Sequence, residues 1–452
     1  MRFHALERQS LWDDEVSTLS ALSVPLRDET AYFRTWDTQP PLYFLQLRLW
    51  RYGVGDSLSS LRANSAFWGS LSVAALYGLA SSLPMPSLAS LLAMMILAFS
   101  PFHLAYSQEL RPYAFAIFLA ILGFWMIERL LKEPGRKFLW GLFFVLLVAE
   151  LYTHYWESFV VMAQVVYGVF RFSERRRWIW LGLAAAALLT FSLWTPILWN
   201  QLHVVKQANG FWLYAPSGAN LWRTYLAYTG VYFRFASSDF SLTAPWMARV
   251  LVISAYAIGL FWGCKSAPRA ARLWLCFGLG TPFALSYWKP ELYLWYRYTS
   301  IIYPAFVLWV VSGFSSIPSK VWRRLCVLLV LGAGLWGCWQ YFSTWEKANP
   351  KAVMAYVNGR LTPQTVVVRP GYFSDLFSYY YKGSAPVLNQ NEQDSTGIRA
   401  RLKEKDVLLL AFDVPSDPVS QAFLTEFKVI ESRHFPGFAH LGVTVYSLRG
   451  SS

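Results

Sequence analysis

Apolar runs close to the ~20-residue length that crosses a bilayer recur along the chain from residue 63 onwards. The pattern predicts spans at about 63–82, 86–106, 112–131, 138–153, 156–172, 178–198, 247–264, 272–288, 296–316 and 322–341. Residues 138–172 are read as two spans, because ~35 apolar residues are too many for one crossing. The polar aromatic turn Tyr152-Thr153-His154-Tyr155-Trp156-Glu157 divides them. Beyond residue 345 the pattern changes. Val366-Val367-Val368 and Val407-Leu408-Leu409-Leu410 are short apolar runs, and Val443-Thr444-Val445-Tyr446 alternates like a strand. Residues 351–359 and 417–427 read as helices. The expected architecture is an all-α polytopic membrane domain of about ten spans over 1–344, with outer loops 1–62 and 199–246. A small α/β domain over 345–452 follows, of ordinary domain size.

Composition supports this reading. The chain is 55% hydrophobic and 15% charged, whereas soluble domains carry about 25% charged residues. A net charge of +14 in a soluble protein would suggest nucleic acid. Here the excess sits in short loops: Lys132, Arg136 and Lys137; Arg171, Arg175, Arg176 and Arg177; Lys265, Arg269 and Arg272; Lys320, Arg323 and Arg324. With the predicted spans, all four loops fall on one side, which the positive-inside rule makes cytoplasmic. Residues 1–62, 107–111, 152–157, 199–246, 289–297 and the tail then share the opposite side. Trp212, Tyr214, Trp222, Tyr225, Tyr228 and Tyr232 of the long loop suit the headgroup layer. The cysteines, Cys264, Cys276, Cys326 and Cys338, show no metal spacing and read as small buried hydrophobes. No signal peptide opens the chain, and residues 1–62 lie outside with no span before them, so a preceding helix is expected.

Five polar clusters face the outer compartment. Asp13-Asp14-Glu15 reads either as an acidic site or as the solvated first turn of a helix. Trp36-Asp37-Thr38-Gln39-Pro40-Pro41 reads as a rigid entry into the amphipathic segment 42–52. That structural role leaves Asp37 free for another. Glu109 and Arg111 stand in a short turn between two spans. A helix-end ion pair is the plain reading, but charges at a membrane boundary are costly unless used. His154 is either an interfacial residue or a ligand or proton carrier. Arg297 opens a span, where it either snorkels or holds a phosphate through its planar fork of donors.

The motifs "SLWDDEV", "WDTQPPLYF", "YSQELRPYAF", "LYTHYWESF" and "LWYRYTSIIYPAF" occur in this order. Together they resemble the bacterial dolichyl-phosphate-mannose-protein mannosyltransferase-like family (glycosyltransferase family 39). These are multi-spanning GT-C-fold enzymes, similar to protein O-mannosyltransferases and to the aminoarabinose transferase of lipid A. The resemblance covers about residues 10 to 310 and implies a polyprenyl phosphate sugar donor used at the outer face of the bacterial inner membrane. It implies that Asp14 of the Asp14-Glu15 pair is the catalytic base, that Glu109 and Arg111 line the same cavity, and that Arg297 faces the donor phosphate. Asp37, Gln39, Tyr43, Tyr113, His154, Tyr155 and Tyr298 complete the expected substrate-binding set. The chain departs from the family at three points: Gln39 replaces a histidine before Pro-Pro, Asp13 replaces a usually apolar neighbour, and the family's first transmembrane helix has no counterpart.

The chemistry expected is inverting transfer to an acceptor hydroxyl. A hydroxyl needs a positioned base, worth ~100–10,000-fold. The phosphate leaving group needs cations rather than a second carboxylic acid. Glu15, Asp37 and Glu109 would orient sugar or acceptor, and their oxygens suit a divalent metal (Mg or Mn) without the chemistry requiring one. The acceptor class, lipid, glycan or protein, is left open. A transporter or flippase for lipid-linked sugars, or a non-catalytic assembly factor, is the alternative. The transporter predicts ionisable groups deep within the spans, and the sequence reads as nearly free of them.

Overall fold

The computed structural model describes residues 1–35, 39–207, 216–235, 238–288, 292–347, 349–369, 374–389, 402, 405–412, 418–435 and 443–450. The chain packs as two compact units. The first comprises Met1–Leu6, Ser20–Phe233 and Phe240–Trp345; the second comprises Glu7–Leu19, Arg234–Asp239 and Glu346–Ser452.

Helix α1 (Asp13–Ser23) carries Asp13, Asp14 and Glu15 in its first turn, where unpaired N–H groups favour negative charge. Helices α2 (Glu29–Thr35) and α3 (Leu42–Val54) follow, and α3 starts directly after Pro40-Pro41. Arg48 of α3 donates to the carbonyls of Ala21 and Val24 at 2.7 Å, and Arg51 to that of Leu22 at 2.9 Å. Guanidinium groups therefore meet the carbonyls that the end of α1 leaves open.

Every predicted apolar block is helical. The order is α4 (Leu58–Ser82), α5 (Ser87–Ala98), α6 (Pro101–Tyr106), α7 (Tyr113–Lys132), α8 (Lys137–Thr153), α9 (Glu157–Arg171), α10 (Glu174–Ser192) and α11 (Thr195–Gln207). Then come α12 (Gly218–Thr229), a two-stranded sheet of β1 (Tyr232–Phe235) and β2 (Ser238–Ser241), and α13 (Trp246–Ser266). Helices α14 (Arg269–Leu275), α15 (Thr281–Leu285), α16 (Tyr303–Ser316) and α17 (Lys320–Ser343) complete the first unit.

Several blocks are broken. Ser100 caps α6 and Pro101 stands in its first turn, ending α5. A π turn, Cys276–Gly280, separates α14 from α15, and α10 meets α11 at 55°. Among the described residues four segments are long and apolar enough to cross a bilayer: Tyr113–Lys132, Trp246–Ser266, Tyr298–Ser316 and Lys320–Ser343. The bent α10–α11 pair would make a fifth. This content marks an integral membrane protein.

Glycine sets the closest helix crossing. A Cβ on Gly313 of α16 would lie 1.8 Å from the Gly259 carbonyl oxygen of α13, so the two backbones touch as small-residue membrane crossings do.

Two expectations need correction. Only Cys326 and Cys338 are buried; Cys264 and Cys276 are exposed, because they lie on outward faces of α13 and the π turn. The helices also hold ionisable groups, since Arg62 of α4, Glu128 of α7 and Glu150 of α8 are buried. All three find partners that lower the cost of burial, Glu150 accepting from Gln164 at 2.7 Å. Arg62 donates to the Leu6 carbonyl at 2.7 Å, and Glu128 stands 3.6 Å from Arg171.

The second unit has a mixed five-stranded sheet in the order β4-β3-β5-β7-β6. Its strands are β3 (Thr365–Arg369), β4 (Val387–Asn389), β5 (Asp406–Phe412), β6 (Phe427–Phe435) and β7 (Val443–Gly450). β3 pairs in parallel with β4 and β5, whereas β7 runs antiparallel to β5 and β6. Every residue of β3 is buried, which explains its unbroken valine run. Helices α18 (Pro350–Asn358), α19 (Ser374–Tyr380) and α20 (Pro418–Glu426) accompany the sheet. The core gathers Val366, Val368, Val407, Leu409, Phe423 and Leu448.

Candidate functional site

Three connections of the first unit carry the polar motifs. The first joins α6 to α7: it is short, because Pro112 directly precedes α7, and it buries Glu109 and Arg111. Gln108 anchors it by donating to the carbonyls of Arg2 at 2.7 Å and His4 at 2.8 Å. The second is the His154–Trp156 turn between α8 and α9. The third precedes α16 and carries Arg297. Helix α12 holds that segment: the Tyr228 hydroxyl donates to the Thr299 carbonyl at 2.6 Å, and Thr224 bonds the Tyr293 hydroxyl at 2.7 Å.

Ring contacts join the three connections. Tyr106 meets Tyr113 at 5.2 Å, Tyr113 meets His154 at 5.5 Å, and His154 meets Tyr298 at 5.4 Å between centroids. Trp156 packs on Tyr298 at 5.4 Å. Such edge and tilted pairs contribute about 0.5–1.5 kcal/mol each beyond burial. The Tyr106 hydroxyl also donates to the Tyr296 carbonyl, tying the first connection to the third.

Arg111 and Arg297 both act electrostatically on His154. Burial, then the two guanidinium groups, hold the imidazole down to about 3. His154 is therefore neutral at physiological pH. Its Nδ1 accepts from the Trp156 amide at 3.1 Å, so the ring proton sits on Nε2. That buried Nε2 has no hydrogen-bond partner among the described residues. A neutral donor flanked by two cations suits an anionic oxygen.

Beside His154 opens a cavity of about 330 Å³. Gln39, His154, Tyr155, Ser158, Gln201 and Tyr298 give it polar points, and Leu151, Phe159, Phe191, Leu198 and Leu202 give it apolar walls. This mixture, apolar with few polar groups, is typical of small-molecule sites. The Tyr155 hydroxyl donates to the Gln201 side chain, and Gln201 donates to the Phe33 carbonyl at 2.8 Å. Tyr43 is buried on α3 against Phe44. Asp37 lies outside the described residues.

Asp14 and Glu15 belong to the second unit and part company within one turn of α1. Glu15 is fully buried and pairs with Lys347 at 2.7 Å, while Lys347 also lies 5.9 Å from the Phe235 ring. The backbone amide of Lys347 donates to Gln9 at 2.9 Å. Asp14 is only half-buried and Asp13 is exposed. Asp14 thus keeps some access to solvent, whereas Glu15 serves an internal ion pair. Among the described residues no three His, Cys, Asp or Glu side chains gather as metal ligands.

Sequence patterning gave no weight to Tyr106, Trp156, Gln201 or Lys347. Tyr106 and Trp156 sit inside the quoted motifs and were legible as neighbours. Lys347 follows the last apolar block with no local signal of its burial.

The chain thus combines an apolar helical unit, with polar connections at its helix ends, and a small mixed α/β unit. No protein-family model and no curated protein matches the sequence. Among solved structures the chain is similar to ArnT, the lipid A aminoarabinose transferase, from Cupriavidus metallidurans. In the apo state the TM-score is 0.59 at 10% identity, covering 100% of this chain and 97% of that one. The form bound to undecaprenyl phosphate gives 0.58 at 11% identity over the same shares. At this identity the likeness establishes the fold.

Proposed function

We propose that the protein is a glycosyltransferase that moves a sugar from a polyprenyl phosphate donor to an acceptor hydroxyl at the outer face of the membrane. The observation that carries this is the convergence of Arg111 and Arg297 on neutral His154, beside the cavity of about 330 Å³. The undecaprenyl phosphate bound by the ArnT of similar fold supports a lipid phosphate here. In this reading the ten helical blocks all traverse or enter the bilayer, with the basic loops on the cytoplasmic side. The donor phosphate sits between the two guanidinium groups and the His154 Nε2–H. The apolar cavity walls take the first isoprene units.

Asp14 removes the proton from the acceptor hydroxyl. The oxygen attacks the anomeric carbon from the face opposite the phosphate, the carbon–oxygen bond to phosphate breaks, and configuration inverts. Polyprenyl phosphate leaves with its charge held by Arg297 and Arg111. Gln39, Tyr43, Glu109, Tyr113, Tyr155, Tyr298 and Asp37 contact sugar or acceptor, and Glu15 with Lys347 fixes the first turn of α1. The residues named for a metal, Glu15, Asp37 and Glu109, do not form a described cluster, so no step is assigned to one.

The test is turnover of a labelled polyprenyl phosphate sugar by full-length protein. Asp14→Asn should lower kcat by about 100-fold or more, and Arg297→Ala should do so with weakened donor binding. Near-normal transfer by folded Asp14→Asn rejects the base; an unaffected Arg297→Ala rejects the phosphate site. The buried Glu128 and Glu150 also keep a transporter in view. It would bind the donor without consuming it.

A further inference from the structure

A groove of about 640 Å³ runs between α5, α16 and α17, three helices that pack on one another. It shares no residue with the cavity beside His154. Helix α17 lines it with Lys320, Arg323, Arg324, Val327, Leu328 and Leu331, a spacing of three and four that places them on one helix face. Helix α5 adds Leu88, Leu91, Leu92 and Met95 in the same rhythm. The α17 face changes character along its length: Lys320 to Arg324 is basic, and Val327 onward is apolar.

The charge at this end is uncompensated. Helices α5, α16 and α17 contain no acidic residue, and among the described residues Lys320, Arg323 and Arg324 form no ion pair. Arg323 donates to the Ser315 carbonyl at a long 3.4 Å. Other basic turns differ: Arg129 and Arg136 both pair with Glu133, at 2.7 and 2.6 Å, and Arg171 has Glu128. Trp322, between the cations in sequence, is exposed, as suits a side chain at the headgroup layer. From Lys320 to Leu331 the helix rises about 16 Å, close to half of a ~30 Å hydrocarbon core.

We propose that this groove binds an anionic phospholipid, its phosphate held by Lys320, Arg323 and Arg324 and an acyl chain lying along Val327, Leu328 and Leu331 against α5. Charge and length fit together. Basic ends of clefts between membrane helices hold anionic headgroups, and guanidinium forks match phosphate oxygens. A zwitterionic headgroup would bring a further cation to three already present. The groove is one leaflet deep, which commits it to an acyl lipid rather than to a longer polyprenyl chain. A bound lipid braces the start of α17 against α5 and the end of α16. The inference uses none of the residues proposed for transfer and stands independently of that reading.

The experiment uses full-length protein in detergent, stripped of lipid and titrated with phosphatidylglycerol or with phosphatidylcholine of the same acyl chains. Native mass spectrometry counts retained lipid. One phosphatidylglycerol per chain should be retained, with about 100-fold preference over phosphatidylcholine for three cations, and the preference should fall as salt rises. K320S/R323Q/R324Q should lose it, whereas R175Q/R176Q/R177Q should keep it. Leu328→Trp, which narrows the groove and leaves the cations, should weaken retention several-fold. Equal retention of the two lipids overturns the proposal, as does equal loss in both triple variants, which marks a general charge effect. Polyprenyl phosphate displacing phosphatidylglycerol at equal concentration overturns the choice of an acyl lipid. If K320S/R323Q/R324Q does not fold, unchanged preference in Arg324→Gln overturns the site.

Discussion

The backbone amide of Trp156 donates to Nδ1 of His154 at 3.1 Å. This bond selects the imidazole tautomer with its proton on Nε2, and two neighbouring guanidinium groups oppose any second proton.

His154 should therefore act without titrating near neutrality. His154→Phe keeps a ring for Tyr113 and Tyr298 but removes the donor, and should lower kcat/KM by about 100-fold. The native pH–rate profile should show no inflection from an imidazole between about pH 6 and 7. An inflection there that disappears in His154→Phe would contradict the assignment.

The same group makes stability depend on pH. Its folded value is about 3, below the ordinary ~6.5 of the unfolded chain. Stability is then complete above about pH 6.5 and declines as pH falls toward 3, because only the unfolded state takes up the proton. At pH 5 the loss is roughly 2 kcal/mol. Denaturation of native protein and His154→Phe across this range should show the slope in the first and its reduction in the second.

Glu15 and Lys347 are both buried. Glu15→Gln or Lys347→Met alone leaves one charge inside, which costs about 3–5 kcal/mol. The double variant should recover most of that stability in thermal unfolding. A double variant as unstable as the sum of the singles would show that the pair is not an isolated unit.

The α13–α16 crossing should depend on Gly313. Gly313→Ala forces the backbones apart and should cost about 2 kcal/mol or more, as overpacking does. Gly332→Ala on α17 meets nothing within 4 Å and should be neutral or slightly stabilising. Unfolding temperatures of the two variants in the same detergent provide the comparison.

Much of the helical unit was readable because bilayer burial demands long apolar runs, and each run became helical, some of them in broken pieces. Where α5 gives way to α6, Ser100-Pro101 announces the break locally. The bend between α10 and α11 is announced as well, because Pro196 stands in the first turn of α11 and has no N–H to continue the ladder of α10. The valine run of β3 and the Val407–Leu410 run of β5 announced buried strands. The meeting of Arg111, His154 and Arg297 was legible only through the motifs that carry them, because periodicity does not encode contacts between distant turns. Glu150 and Gln164 stood in plain sight, yet their partnership depends on how α8 leans on α9. Lys347 could not be inferred at all, since nothing in its neighbours marks a lysine bound for the interior.

The ring ladder from Tyr106 through Tyr113, His154 and Tyr298 to Trp156 gives the site an unusual separation of duties. Contacts between uncharged rings are indifferent to dissolved ions, whereas attraction between guanidinium and phosphate weakens as salt accumulates, though less where the groups are buried. If the site faces outward and holds a phosphate, as proposed, changes of salt in the surroundings would leave the pocket's shape in place and alter only its grip on the anion.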